Sequence, residues 1–189
     1  MRIKTLICFF LFLVLGSCIV KKKTTYSKTR TVTVAPDKGK ISTESGETTE
    51  IEETTKKKVR TNEKADSIVT KAMSFSGTRY KFGGTTNRGM DCSGLIYVSL
   101  KENDIPFPRV SHQMADQGKR IKLKNVEKGD LLFFKTAKKG KRINHVGLVV
   151  DVDGEDIRFI HSTSSRGVIV SSLREGFWNH SFVKATRIL

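Results

Sequence analysis

Cys92, His145 and His161 are the residues whose types and placement could do chemistry in this chain. Cys92 follows the turn Asn87-Arg88-Gly89-Met90-Asp91 and opens CSGLIYVSLKEN, which reads as a short buried helix with Asp91 as its N-cap. A free thiol has a pKa of about 8.5, and the positive end of a helix dipole or an imidazolium neighbour lowers it. That placement makes Cys92 a candidate nucleophile, although a lone cysteine is also an ordinary small core residue. His145 lies mid-strand in INHVGLVV and His161 ends the next strand in FIHS. Between them Asp153-Gly154 is a hairpin-type turn signal. Folding about that turn brings residues near 145 and near 161 to neighbouring positions, as a base and its orienting partner require. Each histidine alone is equally a hydrogen-bonded core residue, so both readings stay open at this level. Zinc is the weaker reading, because short C-x₂-C or H-x₃-H spacings and a fourth ligand are missing. Gly83-Gly84 lacks the Lys-Ser/Thr pair of a P-loop. No metal or cofactor is expected. His112 and His180 sit in polar settings and read as surface residues.

The elements that must position these residues follow from hydrophobic periods. Ala65, Ile68, Val69, Ala72, Met73 and Phe75 form an apolar stripe at helical spacing, ended by Gly77. After the Cys92 helix, Ile105-Pro106-Phe107-Pro108 breaks the chain, and Ser111 to Gln117 reads as one or two helical turns. The period then changes. Strands are expected at Leu131–Phe134, Ile143–Val152, Ile157–His161 and Gly167–Val170, with a last one near Phe182–Ile188. Helices first and hairpin-linked strands second predict an α+β fold with an antiparallel sheet.

The 189 residues carry 35 Lys/Arg against 19 Asp/Glu, a net charge of +16. Nucleic acid, an anionic membrane and another polyanion are the general readings of such a charge. Its distribution separates them. Arg2 and Lys4 precede an unbroken apolar run, Leu6–Leu15. That run is short of the roughly 20 residues a membrane-spanning helix needs, and it reads as a secretory signal over 1–17. It ends in Leu15-Gly16-Ser17-Cys18, which resembles the lipobox of bacterial lipoproteins. The resemblance implies a diacylated Cys18 as the new N-terminus. Cys8 then leaves with the signal, and Cys92 remains as the one free thiol. Residues 18–64 are poor in apolar residues, with twelve Lys/Arg and seven Asp/Glu from Lys21 onward. They read as a disordered tether spanning roughly 35–40 Å as a coil, with Lys21-Lys22-Lys23 beside the lipid. The folded domain is expected over 65–189.

The ordered motifs Tyr80-Lys81-Phe82-Gly83-Gly84, Asp91-Cys92-Ser93-Gly94-Leu95, Gly129-Asp130-Leu131-Leu132-Phe133-Phe134, Asn144-His145-Val146-Gly147 and Phe159-Ile160-His161-Ser162 resemble the NlpC/P60 family of cell-wall cysteine peptidases. The ending SSRGVIVSS…FW is similar to that of the family's small lipoprotein murein endopeptidases. The resemblance implies a papain-like α+β fold, with helices packed on an antiparallel sheet or half-barrel. It also implies a triad in which Cys92 is the nucleophile, His145 the base and His161 the member that orients it. Tyr80 is implied beside the nucleophile as an oxyanion donor, and Ser93 and Asp91 as residues shaping the turn and substrate side. The basic segment Lys138–Arg142 is unusual for the family. The expected activity is hydrolysis of stem or cross-link peptide bonds in peptidoglycan by a monomer. The bond could be D-Ala to diaminopimelate or D-Glu to diaminopimelate. The enzyme would be lipid-anchored in the bacterial envelope with a lean to the outer membrane, because Ile19 is not the Asp that signals inner-membrane retention. A non-catalytic wall-binding lipoprotein and an amidase or acyltransferase on the same fold are the alternatives. Nucleic acid is not expected as a partner.

Overall fold

The computed structural model describes residues 47–189 apart from Lys138 and Lys141, with side chains from Glu53 onward. The signal segment, Cys18 and the first part of the tether lie outside the described residues. Helix α1 runs from Glu47 to Met73, so it begins well inside the stretch expected to be a disordered tether. The local sequence explains the difference. Acidic residues cluster at the start (Glu47, Glu50, Glu52, Glu53) and basic residues follow (Lys56, Lys57, Lys58, Arg60, Lys64). This order suits the helix dipole and places Glu and Lys four apart. The C-terminal turns dock Ala65, Ile68, Val69 and Ala72 in the core. Those turns supply the nucleus from which an exposed polar helix can extend. Met73, expected on the buried stripe, is 40% exposed at the helix end.

A two-stranded ribbon, β1 (Thr85–Thr86) with β2 (Gly89–Met90), leads into α2 (Cys92–Lys101), and one short turn of helix, α3 (Ser111–Met114), follows. The remaining strands are β3 (Lys119–Ile121), β4 (Leu131–Phe134), β5 (His145–Asp153), β6 (Asp156–Thr163), β7 (Gly167–Ser172) and β8 (Phe182–Arg187), with α4 (Gly176–Ser181) before the last. They form one six-stranded sheet in the order β3-β8-β4-β5-β6-β7. All five pairings are antiparallel.

The sheet is covered on both faces. Leu131, Phe133, Val146, Leu148 and Ile160 pack with α1 and α2. Leu132, Phe134, Val149, Phe159 and Ala185 pack with Trp178 of α4. The unbroken apolar run Leu131-Leu132-Phe133-Phe134 is therefore a central strand buried on both sides. The hairpin joining β5 and β6 pairs Asp153 with Asp156 and Leu148 with Ile160. It turns at Gly154, which has φ +57°, a conformation that favours glycine.

Candidate active site

The N-terminus of α2 is held by a carboxylate hub. Asp91 Oδ1 accepts from the Gly94 N–H at 2.6 Å, the Ser93 hydroxyl at 3.2 Å and Arg109 Nη1 at 3.0 Å. Its Oδ2 accepts from the Gly83 N–H at 2.7 Å and Arg109 Nη2 at 2.8 Å. Arg109 Nη1 also donates to Ser93 Oγ at 2.7 Å. One buried side chain thus caps the helix, fixes the turn at Gly83 and pairs with a guanidinium. Burial alone would raise the Asp91 carboxyl. The hydrogen bonds from Arg109, Gly94 and Gly83 outweigh it and hold the group below its usual range. The close approach needs glycine at 94, where an added Cβ would sit 2.1 Å from the Gly84 carbonyl oxygen. Asp91→Ala is expected to destabilise the fold by about 2–3 kcal/mol in urea titrations, because it strands Arg109 and two backbone donors.

Cys92 follows this cap and is 8% exposed. The backbone N–H groups of Val146, Ser93 and Cys92 itself are placed to donate toward its sulfur. They do not activate it at rest. Burial, and then the Asp91 charge, push the thiol above its ordinary value. Burial first, and the capping Asp91 anion second, outweigh the lowering expected from the start of the helix.

His145 starts β5 and His161 lies on β6, on the sheet face opposite α2. Their rings meet with His145 Nε2 2.9 Å from His161 Nδ1. Trp178 stacks on His145 at 5.1 Å between centroids and meets His161 edge to face at 4.4 Å. Phe159 lies beside His161 at 4.7 Å. Glycine at 147 makes room for this stack, since an added Cβ would sit 2.4 Å from the Phe159 ring. The enclosure keeps both imidazoles neutral. Burial lowers His145 to about 4. Burial, the neighbouring His145 and the Arg166 charge lower His161 to about 3. On the other side of the sheet Ser162 Oγ donates to the Met90 carbonyl at 2.8 Å, tying β6 to the turn before Cys92.

A cleft of about 500 Å³ opens over these groups. Tyr80, Cys92 and His145 line it, with Ser162, Thr163, Arg166, Glu175 and Trp178 farther along its wall. Tyr80 is held protonated: burial, then the Cys92 and Asp91 charges, raise its hydroxyl, so it can donate into the cleft. The side chains of Ser93 and Asp91 turn into the Arg109 hub. His161 sits behind His145, fully buried. A model of the NlpC/P60 family matches residues 77–187. The chain belongs to the NlpC/P60 family.

Among relatives it is 40% identical over 116 residues to the probable endopeptidase NlpC of Escherichia coli K12, covering 61% of this chain and 72% of that protein. It is 33% identical over 116 residues to the murein DD-endopeptidase MepS/murein LD-carboxypeptidase of the same strain, covering 61% of this chain and 58% of that one. An NlpC/P60 family protein from Bacillus cereus superposes with a TM-score of 0.60 at 31% identity, over 66% of this chain and 40% of that one. The α+β, papain-like fold implied by the sequence resemblance is the fold found.

Two residues of this NlpC/P60 site were given no role by the sequence reading, although Trp178 closes the quoted ending SSRGVIVSS…FW. Arg109 stands in PFPRVS, eighteen residues from Asp91, where no period or spacing marks it. Its one signal is indirect: an N-cap carboxylate buried beside Cys92 needs a cation. Trp178 is visible as the only tryptophan, but only the folded chain places it against the histidines.

Proposed function

We propose that this protein is a cysteine endopeptidase that hydrolyses peptide bonds of peptidoglycan through Cys92, His145 and His161. One observation carries the reading. The 2.9 Å contact of His145 Nε2 with His161 Nδ1 commits one face of the base to its orienting partner. Nδ1 of His145 is left for proton transfer in the cleft that holds Cys92. The printed names of NlpC and MepS as endopeptidases support the same reaction class.

The resting pair is neutral on both sides, so activation accompanies attack. His145 takes the proton from Cys92 as the sulfur bonds to the scissile carbonyl carbon. For this its Nε2 carries hydrogen and donates to His161 Nδ1. The carbonyl oxygen gains negative charge, which the Tyr80 hydroxyl and the backbone N–H groups at the start of α2 meet. One such donor is worth about 3 kcal/mol. The C–N bond breaks, the amine leaves with the proton from His145, and a thioester remains on Cys92. Water, deprotonated by His145, hydrolyses the thioester and restores the thiol.

The same reading assigns residues 1–17 to an export signal and Cys18 to a lipid anchor on a bacterial envelope membrane, leaning to the outer one. The domain from Ala65 onward carries 21 Lys/Arg against 12 Asp/Glu, which suits an anionic wall polymer. The test is digestion of purified sacculi, with the released fragments identified by mass spectrometry and Cys92→Ala as the comparison. Wild type is expected to release muropeptides newly cut at one peptide bond. Identical profiles from the two proteins would sink the reading.

A further inference from the structure

The exposed turns of α1 carry a charge that nothing in the fold answers. From Glu53 to Lys64 the helix holds five cations, Lys56, Lys57, Lys58, Arg60 and Lys64, against two acids, Glu53 and Glu63. Lys56, Arg60 and Lys64 recur every four residues and so share one side of the helix, with Lys57 beside them. These four line a concave surface of about 760 Å³ together with Glu53, Thr61 and Leu189. None of the five cations has a carboxylate within 4 Å among the described residues. Farther along the same helix the charges are matched: Lys71 pairs with Glu102 at 2.6 Å, and Asp66 with Lys128 at 2.5 Å.

Folding does not require this stripe. Like charges four apart oppose helix formation. The buried face of α1 begins only at Ala65, and Lys56, Lys57 and Arg60 are exposed. A row of cations fixed on one helix, without an internal counter-charge, complements a surface of anions. Two observations favour a lipid surface over a wall polymer. The first is the chain outside the described residues. Twenty-eight residues separate Glu47 from Cys18, the expected lipid attachment point, and a coil of that length reaches about 30 Å. A bilayer holding Cys18 is therefore within reach of the stripe. The second is its place in the fold. Met73 ends α1 seven residues before Tyr80 of the cleft. Lys56 lies 17 residues, about 25 Å, back along the helix axis. Peptidoglycan is met at the cleft, and the stripe belongs to the other end of the helix.

We propose that Lys56, Lys57, Arg60 and Lys64 form a docking face for the anionic phosphate headgroups of a membrane, which holds the domain at the bilayer surface and leaves its cleft free. The proposal takes from the lipid-anchor reading only the nearness of a bilayer, and nothing from the chemistry of Cys92.

Vesicle cosedimentation tests it. The chain from residue 18 onward, which holds every described residue, is made with Cys18→Ser so that no lipid attaches. It is expected to bind vesicles of equal parts phosphatidylcholine and phosphatidylglycerol, to leave them as salt is added, and to ignore phosphatidylcholine alone. Changing Lys56→Gln, Lys57→Gln and Arg60→Gln together should weaken binding about 10²-fold, at about fivefold per cation. Changing Arg120→Gln, Lys122→Gln and Lys124→Gln together removes the same charge from exposed positions on β3 and the segment after it. That variant should bind within about threefold of the parent. All six side chains are exposed, and urea midpoints check that both variants fold. No binding to the mixed vesicles, or equal losses in the two triple variants, overturns the docking face. So does tighter binding to purified sacculi that falls with the α1 substitutions, which marks a wall-polymer surface instead. Mass spectrometry of the full chain expressed in bacteria tests the anchor separately: vesicle binding as expected with an unacylated Cys18 overturns the anchor reading alone.

Discussion

His145→Gln is expected to lower kcat on stem peptides by about 10²–10⁴-fold while the fold and KM hold. Glutamine keeps an amide that can donate toward His161, so the hydrogen bond across the hairpin survives. It cannot take the thiol proton or return one to the leaving amine. Single-turnover kinetics on a defined peptide, with circular dichroism to confirm folding, reads the effect. A loss below tenfold would remove His145 from its role. The same residue sets the pH dependence. The base must be neutral, and burial lowers it to about 4. Activity should therefore persist through pH 5 and decline as pH falls through about 4.

Stability moves in the same direction. Between pH 6.5 and 4 the unfolded chain binds protons at residues 145 and 161 that the folded chain excludes. Stability then falls with falling pH, by about 1.4 kcal/mol per unit for each histidine. His145→Gln should flatten that slope in urea titrations at pH 7 and pH 5. Equal slopes in wild type and variant would contradict the buried-neutral assignment.

Trp178→Ala is expected to cost about 3–5 kcal/mol of stability. The indole is 5% exposed and touches five rings at once: Phe134, Phe159 and Phe177 besides the two histidines. Removing it opens a cavity at the centre of the aromatic layer. It also frees His145 to rotate about χ2, so kcat should fall by more than KM rises. Trp178→Phe keeps an aromatic face against His145 and should recover most of both losses. Paired measurement of the urea midpoint and of kcat checks this. Equal deficits in the Phe and Ala variants would show that ring stacking is not what holds the pair.

Much of this site was legible because its parts are local. Asp91-Cys92 reads as a capped helix start, since capping is a contact between neighbours, and the Asp91–Gly94 hydrogen bond is that contact. The Gly154 turn announces a hairpin, and a hairpin brings residues near 145 beside residues near 161, so the proximity of His145 and His161 could be read from spacing; their contact lies off the Leu148–Ile160 register. The absence of an apolar period over residues 47–64 misled, because a helix that extends from a docked segment needs no buried face of its own.

The order of the residues in the chain by itself determined the α+β division, the capped helix start at Cys92 and the proximity of the two histidines. All three depend on side-chain periods and turns within a few residues of one another. The tertiary structure decided the rest. It brought Arg109 to Asp91, laid Trp178 over the imidazoles and set Arg166 and Glu175 in one cleft wall. It also reversed the expected direction of the Cys92 thiol. Dielectric, charge pairing and ring stacking depend on distance through space, and elements far apart in the chain meet only when the sheet has closed.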